Sequence, residues 1–371
     1  MSTVNVCRVI TRLPRVGGIE ERLAAIAPRL NEGGFRVRVV VIHERGGLSD
    51  EIEASGVPVD FVRLKSRLSP SGLRALAAYF REHEVDIVHA HMYRSYIPSS
   101  IAAGMARTPV MLGQVHNIDT WESPRQLWLD RALWRWRTGT IVVSERVKEN
   151  VIDALGCPAE CVHVLYNGID TAKFRDAAVV PELRRELGIA DGETVAVVVA
   201  RLHAKKNHAL LLRALSEAGD DAGNLRVVVV GDGAEESNLK RMAQDLGLAR
   251  RVIFVGPRSD VERFFKMADF SALPSLKEGF SNAVIESLAA GCPVIATDVG
   301  GNREAILDGR TGLLVPSGES GPLSDAIVQF AGDADLRRRM SEACALRAED
   351  FSLDAMVHTT RELYTRLLSS A

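Results

Sequence analysis

The chain has 371 residues, 46% of them hydrophobic and 25% charged, with a formal net charge of −2. That length suits two domains rather than one core, and the charge gives no reason to expect nucleic acid as a partner. Five cysteines, odd in number and scattered, favour free thiols in a reducing compartment.

The opening MSTVNVCRVITRLPRVGG lacks a cationic region followed by a long apolar run, so no secretory signal is expected. No segment approaches ~18 uninterrupted apolar residues, so nothing is expected to span a membrane. In chain order the pattern predicts a buried strand over 4–10 and a helix over 20–31, its apolar face Leu23, Ile26, Ala27 and Leu30. Strands follow over 35–42 and 57–64, a helix over 73–82 and a strand over 85–89. After the polar turn HMYRSY comes a small-residue helix to Ala106, then a strand over 109–115 that ends at His116. Helix over 121–137, strand over 140–143, helix over 144–155 and strand over 162–166 complete this half. Alternating strands and helices, with strands apolar on both faces, are the mark of a parallel sheet covered on two sides.

Periodicity breaks at NGIDTAKFRDAAVVP, 167–181, and the domain link is placed there. The alternation restarts with strands over 194–200, 225–230, 252–255 and 270–273, helices over 208–218, 235–246 and 261–268, and the segment SLKEGFSNAVIESLAAGCPVIATDVGGNREA. TGLLVP reads as a closing strand, and helices over 323–331, 335–348 and 353–368 finish the chain. The fold class is α/β: two doubly wound units in series, with ligands expected in a cleft at the strand C-terminal ends.

Several residues carry chemistry. Gly17-Gly18, between the first strand and its helix, suits close approach of a phosphate to a helix N-terminus, although a plain tight turn has the same composition. It is not a GxGxxG fingerprint, which argues against a dinucleotide oxidoreductase. His116 stands at a strand end, where a neutral imidazole can hydrogen-bond a sugar hydroxyl. Arg201 and Lys206, in ARLHAKKNH, are placed to clamp a diphosphate, the first as a fork and the second as a point charge. Glu278 and Glu286 would point about 80° apart on one continuous helix. Gly279 instead favours a loop, and Ser281 or Asn282 is a good N-cap. Glu278 is therefore expected in the loop and Glu286 about one turn inside the helix. A glycosidase acid/base pair is the rival reading, disfavoured because both carboxylates come from one short segment.

Taken in order and spacing, E278-GFSNAVI-E286, AAGCPVIATDVGGNREAI, ARLHAKKN, GGIE and NGID resemble the retaining GT-B glycosyltransferases of family 4, over nearly the whole chain. The resemblance implies two Rossmann-like domains facing across a cleft: an acceptor-side domain 1–170, a donor domain 171–350 and a terminal helix, 351–371, returning to the first domain. It implies sugar contacts from Glu278 and His116, ribose contact from Glu286, and diphosphate contacts from Arg201, Lys206 and the amides of Gly17 and Gly18. Backbone around Gly279, Phe280, Ser281 and Asn282 would hold sugar and phosphate, and backbone near Gly256 to Arg258 would meet the base. His116, Glu278, Arg201 and Lys206 are the candidate catalytic residues. The expected donor is a nucleotide-diphosphate sugar, with UDP as the nucleotide, and the expected acceptor a sugar, lipid-linked or small molecule. No Asp-x-Asp metal motif stands at a strand end, so no cofactor and no metal are expected. A GT-B epimerase or hydrolase acting on a nucleotide sugar is the nearest alternative. A cytoplasmic enzyme is expected. The four tryptophans of 121–137, interleaved with arginines, admit either inward packing or peripheral contact with a membrane.

Overall fold

A computed structural model describes residues 3–14, 18–178 and 181–370. The chain divides into two compact units, Met1–Gly168 with Leu353–Ala371, and Ile169–Ser352.

The first unit is built on a seven-stranded sheet. Its strands are β1 (Val4–Arg12), β2 (Phe35–Glu44), β3 (Val59–Phe61), β4 (Ile87–His91), β5 (Val110–Val115), β6 (Gly139–Val142) and β7 (Val162–Val164). They pair in parallel in the order β3-β2-β1-β4-β5-β6-β7, so the winding reverses between β1 and β4. The inner strands β4, β5 and β6 are buried throughout because helices cover both faces, which is why such runs read as continuous apolar stretches, while the edge strand β3 leaves Phe61 exposed. The helix Gly18–Leu30 buries Leu23, Ile26, Ala27 and Leu30 on the sheet. The helix Leu353–Ser369 belongs to the same core through Met356, Val357, Leu363, Tyr364 and Leu367.

The second unit carries six parallel strands: β8 (Val195–Val199), β9 (Arg226–Val230), β10 (Val252–Gly256), β11 (Phe270–Leu273), β12 (Val294–Thr297) and β13 (Gly312–Val315). Their order, β10-β9-β8-β11-β12-β13, reverses between β8 and β11. Its core gathers Val198, Leu211, Leu215, Val229, Phe270, Ile295 and Phe330 between the sheet and its helices.

Several features differ from expectation, among them a short helix Thr171–Arg175 inside the segment read as the link. The polar segment after β4 is not a turn. The helix Met92–Ala106 starts at the strand end, and a single residue, Met92 at φ +64°, makes the bend. The segment 121–137 shortens to the helix Pro124–Leu133 and a tight turn Trp134–Trp136, because Pro124 can stand only in a helix's first turn and Ser123 caps it by accepting from the Gln126 amide. A helix over Leu48–Ala54, with Leu48 and Ile52 buried, fills a stretch to which no element was assigned.

All five cysteines are free. His208, buried at the head of the helix His208–Ala218, has its pKa pushed down from 6.5 to about 4 by burial and by the charge of Lys206. The unfolded state then binds the extra proton, so stability rises with pH between about 4 and 6.5 and is lost as pH falls through that window. His208→Leu should flatten this slope in urea titrations from pH 4 to 7; an unchanged slope would refute the assignment.

Candidate active site

In the second unit the switch point between β8 and β11 gathers two loops. The first leaves β8 through Arg201 and ends in the turn Ala204–Lys206; the second leaves β11 and runs through Glu278 to the helix Asn282–Ala289. They are tied by the Leu276 amide donating to the Lys205 carbonyl at 2.8 Å. Lys206 Nζ donates to Glu278 Oε1 at 2.6 Å, and Ser275 Oγ donates to the same oxygen at 2.6 Å. The Glu278 side chain is 9% exposed, so this pair is far from fully solvated. Its Oε2 takes part in neither bond. Arg201 is exposed and forms no ion pair among the described residues.

The glycines around these loops are required by close approach. Gly300 has φ +56°, and a Cβ there would stand 2.0 Å from the Glu278 carbonyl oxygen. The next amide, Gly301, donates to the Gly279 carbonyl at 3.0 Å. Gly231 and Gly233 of GDG likewise press against the carbonyls of Ala200 and Leu202, where a Cβ would come to 2.2 and 2.3 Å. Gly300→Ala is therefore expected to lose about 1–3 kcal/mol of stability and to displace Glu278. Calorimetry and steady-state kinetics on one preparation test this; unchanged melting and turnover would contradict the close approach.

Glu286 is half-buried in the first turns of the helix Asn282–Ala289. Ser281 takes the N-cap position, yet its side chain makes no capping bond, while Asn282 is the first helical residue. Gly279 and Phe280 are buried, and the Phe280 ring lies 5.2 Å from that of Phe351. Gly256 has φ +71°, and its carbonyl accepts from the Gly231 amide at 2.8 Å. The Arg258 side chain is committed to Asp260, with two bonds of 2.8 Å that pull the Asp260 carboxyl down to about 2.

In the first unit His116 follows β5 and lines a cavity of about 360 Å³ together with Thr11, Met92, Arg94, Asn117 and Glu122. Gly18 begins its helix and is exposed; Gly17 lies outside the described residues. Behind His116 stands a buried polar cluster that sequence reading did not single out. Arg8 of β1, 1% exposed, donates through Nε and Nη2 to His91 Nε2 at 3.3 and 3.0 Å. His91 Nδ1 is 3.4 Å from His116 Nε2. Arg8 Nη1 donates to the Tyr364 hydroxyl at 3.4 Å, and that hydroxyl lies 2.6 Å from His89 Nδ1. His89 Nε2 is 3.0 Å from Gln114 Oε1. Burial, and then the Arg8 charge, hold His89 and His91 well below the ordinary imidazole range. His116 is lowered by burial, then by Arg22 and Arg8, so all three rings are neutral near pH 7. The only sequence signal was the alternation His89, His91 at a strand end with Arg8 in the neighbouring strand.

A second cavity, about 290 Å³, adjoins through Thr11 and Arg94 and is lined also by His43, Lys65 and Arg67. The tryptophan-rich segment is anchored by Asp130, which accepts from Tyr96 Oη at 2.7 Å and Trp121 Nε1 at 2.8 Å and forms a buried ion pair with Arg137. Trp128 and Trp136 remain 70% and 45% exposed. Among the described residues no helix is long and apolar enough to cross a membrane.

Two family models match. "Glycosyltransferase Family 4" covers residues 16–173 and "Glycosyl transferases group 1" covers residues 179–347. A D-inositol 3-phosphate glycosyltransferase of Nocardia farcinica is 29% identical over 359 residues, 90% of this chain and 76% of that protein. An Escherichia coli UDP-Gal:alpha-D-GlcNAc-diphosphoundecaprenol alpha-1,3-galactosyltransferase is 27% identical over 328 residues, 85% of this chain and 84% of that protein. Among solved structures, Anabaena Alr3699/HepE in complex with UDP superposes with a TM-score of 0.85 at 23% identity, covering 98% of this chain and 100% of that one. A Rickettsia africae glycosyltransferase does so with a TM-score of 0.87 at 21% identity, covering both chains completely. With both halves matched by family models and both sheets wound as in these structures, the chain belongs to the family 4, group 1 type of GT-B glycosyltransferases.

Proposed function

We propose that this glycosyltransferase moves a hexosyl or N-acetylhexosaminyl group from a UDP-sugar to an acceptor hydroxyl with retention of anomeric configuration. The observation that carries the reading is the Lys206–Glu278 pair at the switch point of the second sheet. It sets a cation for a diphosphate beside a carboxylate whose second oxygen is available to a sugar hydroxyl. In this reading Arg201 and Lys206 neutralise the leaving diphosphate, aided by amides at Gly17 and Gly18 and around Gly279, Phe280, Ser281 and Asn282. Glu278 Oε2 accepts from the sugar, Glu286 accepts from the ribose, and the backbone from Gly256 to Arg258 meets the base. His116 hydrogen-bonds the transferred sugar.

The bond from the anomeric carbon to the phosphate oxygen breaks as the acceptor oxygen forms its bond on the same face. The acceptor's proton passes to the departing phosphate, so no protein nucleophile is consumed. Catalysis is then charge stabilisation and positioning. The cations serve the diphosphate directly, so transfer should persist in excess EDTA; abolition by EDTA with recovery on adding Mg²⁺ or Mn²⁺ would refute metal independence. A panel of nucleotide sugars, with NMR of the product's anomeric proton, tests the rest. Inverted product would remove the retaining assignment, and preference for GDP- or ADP-sugars would remove UDP.

The relative from Escherichia coli names a lipid diphosphate acceptor. A similar acceptor suits the exposed Trp128 and Trp136, with Arg125, Arg131 and Arg135 exposed in the same segment. Co-sedimentation with anionic liposomes that is weakened in Trp128→Ala/Trp136→Ala is the expected result; binding indifferent to both lipid charge and these residues would contradict it.

A further inference from the structure

Arg8 is the fixed point of the buried cluster in the first unit. A guanidinium has donors and no acceptor, so every bond it makes has a known direction. Its Nε and Nη2 both address His91 Nε2, which must therefore be the ring's bare nitrogen. The His91 proton then sits on Nδ1, which faces His116 Nε2 at 3.4 Å. That nitrogen of His116 must accept, and its proton moves to Nδ1.

The other branch follows by the same logic. Tyr364 accepts from Arg8 and has its own hydrogen left for His89 Nδ1 at 2.6 Å. His89 is then protonated at Nε2 and donates to Gln114 Oε1. The reverse polarity would leave the Tyr364 hydrogen with no acceptor. The stacked neighbours His89 and His91, ring centroids 4.6 Å apart, thus carry opposite tautomers.

We propose that Arg8 and His91 are positioning residues that lock His116 as the Nδ1–H tautomer, so that it meets the sugar nucleotide as a hydrogen-bond donor and not as a base. In water a neutral imidazole prefers the Nε2–H form, so this is a state that the fold imposes. The His116 Nδ1 is buried and has no partner among the described residues, while its ring lines the 360 Å³ cavity. A buried donor left without an acceptor is costly, and an incoming sugar or phosphate oxygen satisfies it. A chain of bonds starting at a guanidinium is polarised toward its far end. The terminal N–H therefore stabilises an oxygen most strongly when that oxygen gains negative charge in the transition state. This role for the relay rests on the reading of His116 as a sugar contact; the tautomers themselves do not.

Imidazole nitrogen NMR of the full-length, ¹⁵N-histidine-labelled protein tests the relay directly, with His116→Asn, His91→Asn and His89→Asn used to assign the rings. The expected pattern is Nδ1–H for His116 and His91 and Nε2–H for His89. An Nε2–H His116, or rapid exchange between forms, in the unaltered chain overturns the proposal. In His91→Phe the His116 ring should revert toward Nε2–H and kcat should fall about 10- to 100-fold, with a smaller change in donor KM. His91→Asn, which keeps an N–H near the Nδ1 position, should recover most of both. An unchanged His116 tautomer in His91→Phe overturns the relay. The expected tautomers together with undiminished transfer in His116→Phe would instead overturn the reading of His116 as a sugar contact.

Discussion

Lys206→Ala is expected to lower kcat/KM for the nucleotide sugar by about 10²- to 10³-fold, roughly 3–4 kcal/mol of transition-state stabilisation. Two losses combine. The diphosphate oxygen that gains charge as the glycosidic bond breaks loses its cation. Glu278, largely enclosed, keeps only the Ser275 hydroxyl on Oε1. Lys206→Arg should recover part of the rate, because the charge returns, but not all of it, because a planar fork does not reproduce an ammonium within 2.6 Å of one carboxylate oxygen. Glu278→Gln keeps the shape of the side chain and tests the other partner. Near wild-type kcat/KM in both Lys206→Ala and Glu278→Gln, measured by nucleotide release and product formation together, would remove the pair from the active site.

The second large effect is on stability. Asp130→Ala should cost about 3–5 kcal/mol, since it leaves a buried guanidinium without its counter-charge. Arg137 is packed over the Tyr96 ring, 4.3 Å from its centroid, and donates to Ser100 Oγ at 3.0 Å, so it has no route to water. The Tyr96 hydroxyl and Trp121 indole also lose their acceptor. Pairing Asp130→Leu with Arg137→Met should restore much of the loss, because the desolvation penalty disappears with both charges. Urea denaturation of Asp130→Leu, Arg137→Met and the double variant forms the cycle. A double variant no more stable than Asp130→Ala would show that the charge is not the source of the cost.

Much of the architecture was legible because both sheets are parallel and covered on two faces. Strands such as Val195–Val199, and Arg226–Val230 after its first residue, read as apolar runs between helices with clear apolar faces. Glu278 in a loop and Glu286 inside the next helix followed from Gly279 and the capping residues, and the structure has this arrangement. What stayed hidden was tertiary. Arg8 interrupts an apolar strand and looks like a defect until its partners, up to 356 positions away, are in place. The pairing of Lys206 with Glu278 spans 72 positions and depends on β8 and β11 being neighbours, which strand order along the chain does not reveal. The start of the helix Met92–Ala106 reads as a turn in sequence because Tyr93, Ser95 and Tyr96 carry polar groups and are buried only by tertiary packing. In the tryptophan-rich segment, one arginine turns inward and two tryptophans outward, an outcome decided by a single aspartate.

The carboxy-terminal helix has a consequence for how the protein is made. The chain completes β1 to β7, departs at residue 168 to build all of the second unit, and returns only at residue 353. Of the two units, the first is thus begun before the second and completed after it. Until Tyr364 emerges, Arg8 lacks one of its acceptors and the core around Leu23 and Ile26 lacks the apolar face that covers it. A polypeptide truncated by some twenty residues would keep a second unit with all its strands but leave the first unit's apolar surface open, a form readily held by chaperones or degraded. The half that holds His116 is therefore closed only once the helix Leu353–Ser369 has been made.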